Sequence, residues 1–201
     1  MNASGCKKYI FFQIMRPLIT PLFKLWYNPE IIGQDFIPDI GAAVIAGNHK
    51  HAFDPILVYA CTKRTVHTIA KSELLSGMFG WFFKLIGSIP VDLSAKNNPD
   101  TFYEALRRLQ AGSLINVSPE AERNFTNKTL LPFKYGAVVM CKRAICPLIP
   151  YTITGDYKFR SKNLKITFLD LLALDDLDIE ASNILLFNTI KTHLLTEAAL
   201  S

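Results

Sequence analysis

Short apolar runs that end abruptly in polar, chemistry-bearing loops constrain this chain more than any other feature. Ala42-Ala43-Val44-Ile45-Ala46-Gly47 is such a run, and it passes straight into Asn48-His49-Lys50-His51-Ala52-Phe53-Asp54-Pro55. Ser113-Leu114-Ile115-Asn116-Val117 does the same, leading into Ser118-Pro119-Glu120-Ala121-Glu122-Arg123. Apolar runs without alternation, bounded by turn residues, read as strands buried on both faces, the pattern of a largely parallel sheet. In open α/β sheets, ligands bind at the carboxyl ends of the strands, which is where both loops fall.

The first loop carries a candidate base. His49 is the side-chain type that titrates near neutrality, so it is suited to take a proton from an alcohol. Asp54, five positions on, is placed to accept a hydrogen bond from the other ring nitrogen and fix the tautomer. The same residues have a plainer reading as a helix start, with Asp54 as N-cap and Pro55 at the first helical position. They also have a metal reading, because His49, His51 and Asp54 approach a metallo-hydrolase ligand set. The carboxylate is then one position too far along, and Pro55 stands where a final histidine belongs, so the zinc signal is weak.

The remaining pattern alternates strands with helices. Residues 28–41, with Asn28-Pro29, Gly33, Pro38 and Gly41, read as a linker or short extended piece. A helix is expected from about Pro55 to Cys61, a strand over Thr65–Ala70, and one aromatic helix from Ser72 toward Leu85. A brief strand follows at Gly87–Leu93. A helix opened by Asn98-Pro99 and closed by Gly112 buries Phe102, Leu106 and Leu109. Tyr135–Arg143 reads as a helix and Pro147–Thr154 as a strand whose Pro150 suggests an edge position or strand end. Leu164–Leu169 alternates as a strand. A last helix from about Ala181 turns Ile184, Leu185, Ile190, Leu194 and Leu195 toward the core. The expected architecture is a single α/β domain over residues 31–201, a mixed, mostly parallel sheet flanked by helices.

Residues 1–30 form a separate N-terminal segment. Tyr9 to Tyr27 is nearly long enough to span a bilayer, but Arg16, Pro17, Pro21 and Lys24 interrupt it. Lys7, Lys8, Arg16 and Lys24 among Trp26, Tyr27 and several Phe fit an amphipathic helical segment lying in the membrane interface. No uninterrupted apolar core leads to a signal-peptide cleavage site. With 22 Lys+Arg against 17 Asp+Glu, the net charge of +5 suits an anionic membrane surface or phosphate-bearing substrates. The absence of basic runs makes nucleic acid the least favoured partner. Cys6, Cys61, Cys141 and Cys146 lack CxxC spacing and read as reduced, buried small hydrophobes of a cytoplasmic-side protein, which with the N-terminal segment places the chain at the cytoplasmic face of a membrane.

Read together, Asn48-His49-x4-Asp54, Gly87-x-Ile89-Pro90-Val91-Asp92 and Ser118-Pro119-Glu120-x-x-Arg123 resemble, in this order, the blocks of the glycerolipid acyltransferase family. That family includes the 1-acylglycerol-3-phosphate acyltransferases. Ala70-Lys71-x-Glu73-Leu74, Phe133-Lys134-x-Gly136-Ala137 and Pro147-Leu148-Ile149-Pro150 support the likeness, which covers roughly residues 30–155. The resemblance implies transfer of an acyl group from acyl-CoA or an acyl carrier protein to a hydroxyl of a lysophospholipid-type acceptor. It makes His49 the general base and Asp54 its orienter, with Lys71, Glu120 and Arg123 binding the acceptor. It requires no metal, no organic cofactor and no serine or cysteine nucleophile. An aromatic-walled groove for the acyl chain is expected close by.

Three departures bear on the acceptor. Leu93 stands where the family usually carries Arg, Ala121 where it carries Gly, and Glu122 where it carries Thr. A negative charge beside a phosphate site weakens binding of a dianion, so a phosphate-free lipid acceptor is a live alternative. A non-catalytic lipid-binding relative is another.

Overall fold

The computed structural model describes residues 16–78, 80–95 and 97–200. Lys7, Lys8, Cys6 and the rest of the expected interfacial segment before Arg16 lie outside the described residues. The segment's remainder is a helix, α1, over 16–27.

The described residues then build seven strands: β1 (Glu30–Ile32), β2 (Ala43–Gly47), β3 (Val66–Lys71), β4 (Ile89–Val91), β5 (Leu114–Val117), β6 (Leu148–Thr154) and β7 (Lys165–Phe168). They form one sheet in the order β1-β7-β6-β2-β5-β3-β4. Neighbours pair in parallel, except that β7 returns antiparallel to β6. The sheet is therefore mixed and mostly parallel. β2 lies inside it, between β5 and β6, and every one of its residues is buried.

Six further helices cover it: α2 (Asp54–Ala60), α3 (Ser72–Ser76), α4 (Gly80–Leu85), α5 (Pro99–Gln110), α6 (Gly136–Ala144) and α7 (Ile179–Leu200). Strand alternation divides the core in two. Val44, Ala46, Ile115 and Val117 face the layer of α5, α6 and α7. Ala43, Ile45, Leu114 and Ile149 face α2, with Phe23 and Tyr27 of α1 packed on the same side.

Three expectations change. The helix expected from Ser72 toward Leu85 is two short helices, because Gly77 adopts an extended conformation (φ −74°, ψ −179°) that ends α3. Pro150 sits in the interior strand β6, not at an edge. It is tolerated because its carbonyl accepts from Leu169 N–H at 2.9 Å, beyond the end of β7. The missing N–H points the same way as that carbonyl, so no bond to β2 is lost. On α7 the buried face is Leu186, Ile190 and Leu194, while Ile184 and Leu195 are exposed.

Between β3 and α5 lies a buried polar contact. Arg108 Nη1 donates to His67 Nδ1 at 2.8 Å, and Arg108 also bonds to Gly87 O. His67 Nδ1 also lies 3.0 Å from Gly87 O. A guanidinium can only donate and is the nearer partner, so Nδ1 accepts from Arg108, the ring is neutral and the Gly87 carbonyl is served by Arg108. Burial, then the Arg108 charge, push His67 down to about 4. Its ordinary value is near 6.5, so below that pH the unfolded chain binds a proton that the folded one refuses until about 4. Stability is therefore expected to fall as pH drops from 6.5 to 4. His67→Gln, which retains an acceptor for Arg108, should show a shallower fall in thermal melts over that window.

Candidate active site

The loop leaving β2 is held from three directions. Asn48 is buried and its side-chain amide mimics a strand neighbour: Nδ2 donates to Ile153 O at 3.0 Å and Oδ1 accepts from Ile153 N at 2.7 Å. The His49 backbone N–H donates to Glu120 Oε1 at 2.9 Å, and the His49 carbonyl accepts from Asn124 N at 3.0 Å. Helix α2 then opens with Asp54 as its first residue, not as its cap. Pro55 follows in the first turn, where its missing N–H costs nothing.

Asp54 turns its carboxylate back over the loop. Oδ2 accepts from His49 Nδ1 at 2.8 Å and from the backbone N–H groups of Lys50 and His51, each at 2.8 Å. Oδ1 accepts from the Tyr157 hydroxyl at 2.7 Å. The carboxylate is only 1% exposed, so protein donors replace the water it has lost. Proton on Nδ1 leaves Nε2 of His49 as the ring's free acceptor, and His49 lines a cavity of about 1160 Å³.

That cavity wraps the carboxyl edge of β3, β4 and β5. Pro55, Phe83 and Ile86 line it on one face, and Phe102, Val139 and Met140 on the other. Its polar lining includes Lys71 at the end of β3 and Arg123 in the loop after β5, both exposed. The Arg123 guanidinium lies over the Phe125 ring, 4.9 Å from its centre. Leu93 and Glu122 line the same cavity. His49, Lys71 and Arg123 thus share one space, with Asp54 behind His49.

Glu120 lies elsewhere. It is buried, and its second oxygen accepts from Leu131 N at 2.7 Å. Its carboxylate ties the His49 loop to the loop after β5. Burial pushes its carboxyl above the usual range, against the two backbone N–H groups that favour the charge. Ala121 next to it sits at φ 63°, a left-handed conformation costing roughly 1 kcal/mol for an L side chain. The backbone that glycine would give is therefore kept at a cost.

Two contributors escaped sequence reasoning. Asn48 stood in the motif without a role. Tyr157 lies in the β6–β7 loop, where only its place after a strand end marks it. His51, considered as a metal ligand, stacks on Tyr157 with ring centres 4.4 Å apart, and its Nδ1 accepts from Phe53 N at 3.2 Å. Among the described residues no group of three or more His, Cys, Asp or Glu side chains is placed to hold a metal ion.

The family profile described as "Acyltransferase" matches residues 28–154, well over half of the chain. The chain belongs to the acyltransferase family. It is similar to the 1-acyl-sn-glycerol-3-phosphate acyltransferase of Saccharomyces cerevisiae, 25% identical over 149 residues, covering 72% of this chain and 47% of the relative. The alpha form from Mus musculus is 29% identical over 136 residues, covering 66% and 47%. This family member thus spans about half the length of the curated relatives it matches. Among solved structures, the crystal structure of the 1-acyl-sn-glycerophosphate (LPA) acyltransferase PlsC from Thermotoga maritima aligns with a TM-score of 0.75 at 18% identity. That alignment covers 99% of this chain and 84% of the other, and it establishes the shared fold.

Glu120→Gln sets an amide N–H against one of two backbone N–H donors. It is expected to destabilise the protein by about 1–3 kcal/mol in urea melts. Ala121→Gly should stabilise it by up to about 1 kcal/mol in the same measurement.

Proposed function

We propose that this protein moves a fatty acyl group from an acyl thioester, acyl-CoA or acyl carrier protein, to a hydroxyl of a lysophospholipid-type acceptor at a membrane surface. The observation that carries this reading is the 2.8 Å bond between His49 Nδ1 and buried Asp54, behind a large, mainly apolar cavity.

In this reading His49 Nε2 accepts the proton of the acceptor hydroxyl as the oxygen attacks the thioester carbonyl. The imidazolium that forms is stabilised by the Asp54 carboxylate at Nδ1. Collapse of the tetrahedral intermediate breaks the carbon–sulfur bond, and the departing thiolate takes the proton back from Nε2. Two substrates and one base complete the cycle without metal or organic cofactor. In the same reading Lys71 and Arg123, which line the cavity, supply charge-assisted bonds to phosphate groups of either substrate. Glu120 acts on the acceptor indirectly, through the loop that carries Arg123.

The membrane reading rests on α1, which exposes Leu18, Leu22, Leu25 and Trp26. No helix among the described residues is long and apolar enough to cross a bilayer. Cys61, Cys141 and Cys146 are unpaired thiols, in keeping with a cytoplasmic face.

A phosphate-free lipid acceptor remains a second reading, favoured by Glu122 and Leu93 on the cavity wall and by Arg123 resting on Phe125. The test is thioester turnover in mixed micelles with a panel of acceptors. His49→Ala should lower turnover about a thousandfold, within the usual span for a general base. Unchanged turnover in that variant refutes the mechanism. Silence across the panel with lipid binding kept favours a non-catalytic relative. Glu122→Gln should raise kcat/KM for lysophosphatidate about two- to fivefold over a phosphate-free acceptor, the scale of one exposed charge.

A further inference from the structure

Asp54 uses its two oxygens unequally. Oδ2 has three donors, all from the segment His49–His51, whereas Oδ1 has the Tyr157 hydroxyl as its one donor among the described residues. At 1% exposure, water does not substitute for it.

The Tyr157 ring is fixed on several sides. It stacks on His51 at 4.4 Å, meets Tyr27 of α1 edge-on at 5.5 Å, and touches Phe53 at 6.3 Å. The loop that brings it back begins at Gly155, whose φ of +74° suits glycine. An added Cβ there would lie 1.8 Å from Asn163 O. Lys50 Nζ donates to the Gly155 carbonyl, tying this turn to the His49 loop a second time. Burial and the adjacent Asp54 charge hold the phenol above its ordinary value, so it stays a donor.

We propose that Tyr157 is a positioning residue for acyl transfer, its hydroxyl keeping Asp54 charged and aimed at His49 Nδ1. The proposal rests on the reading of His49 as general base, and extends it beyond the motif to a loop following the 28–154 family match. Without the hydroxyl, Oδ1 is a buried acceptor with no donor. The unmet carboxylate then takes up a proton from solvent more readily, and a protonated Asp54 no longer orients His49. Protonation is favoured at low pH, so the loss must be pH-dependent. A purely structural role predicts an equal loss at every pH.

Tyr157→Phe retains the ring and its stacking. Its kcat near neutral pH is expected to fall about ten- to a hundredfold, the scale of a hydrogen bond to a charged group, with KM for both substrates unchanged. The acid limb of its pH–rate profile should move to higher pH. Site-specific 3-fluorotyrosine at 157, a stronger donor of nearly the same shape, should move the limb the other way. It also serves if Tyr157→Phe does not fold. A second readout needs no turnover: the low-field NMR resonance of the His49 Nδ1 proton, identified by its loss in Asp54→Asn, should shift or broaden in Tyr157→Phe. Altered resonance with an inactive wild type would leave this positioning intact while sinking the acyl-transfer reading. An unmoved acid limb and unmoved resonance in folded Tyr157→Phe would overturn the proposal, as would a uniform loss at all pH values.

Discussion

A carboxylate cut off from water stays charged only where hydrogen-bond donors surround it, and Asp54 is the point at which this protein meets that condition. Its donors come from three sources: a ring nitrogen, two consecutive backbone N–H groups and a phenol. Two of these demand that the His49–Asp54 loop fold back on itself. The third demands that a loop more than a hundred residues later lie across it. The fold can be understood as the scaffold that keeps those demands satisfied together.

The sheet does most of that work. β2 is interior, so its carboxyl end is flanked by the ends of β5 and β6, and each neighbour sends one anchor to the loop between β2 and α2. The β5 side supplies Glu120, which accepts from the His49 backbone. The β6 side supplies Ile153, which pairs with the Asn48 side chain. The return of β7 antiparallel to β6 then brings Tyr157 over the same loop. Apolar surfaces from both helical layers meet at the edge of β3, β4 and β5, giving a cavity with greasy walls and a few cations at its rim.

Much of this was legible in the chain itself. Unbroken apolar runs identified the interior strands, and the order of His49, Asp54, Lys71 and Arg123 placed them around one edge because strand-end loops in a parallel sheet share that edge. What escaped reading was long-range or geometric. Glu120 looks in sequence like a charge facing substrate, yet its carboxylate accepts from two backbone N–H groups that only the folded loops present. Pro150 looked like an edge marker, and only the end of β7 explains its place in the interior. Gly77 breaks a helix that periodicity carries through. Ile184 and Leu195 sit at helical spacing from buried residues but on the exposed side of α7. Tyr157 belongs to no block, and nothing local links it to Asp54.

The contacts that anchor the His49 loop have a consequence for biosynthesis. Those to Glu120, Ile153 and Tyr157 span 71, 105 and 103 residues of chain. The ribosome therefore releases the histidine and aspartate of the motif long before their anchors exist. An N-terminal fragment ending before β5 contains Asn48, His49 and Asp54 and none of those three tethers. The anchoring of this loop is completed late in synthesis, once the β6–β7 turn has emerged and closed over a segment made much earlier.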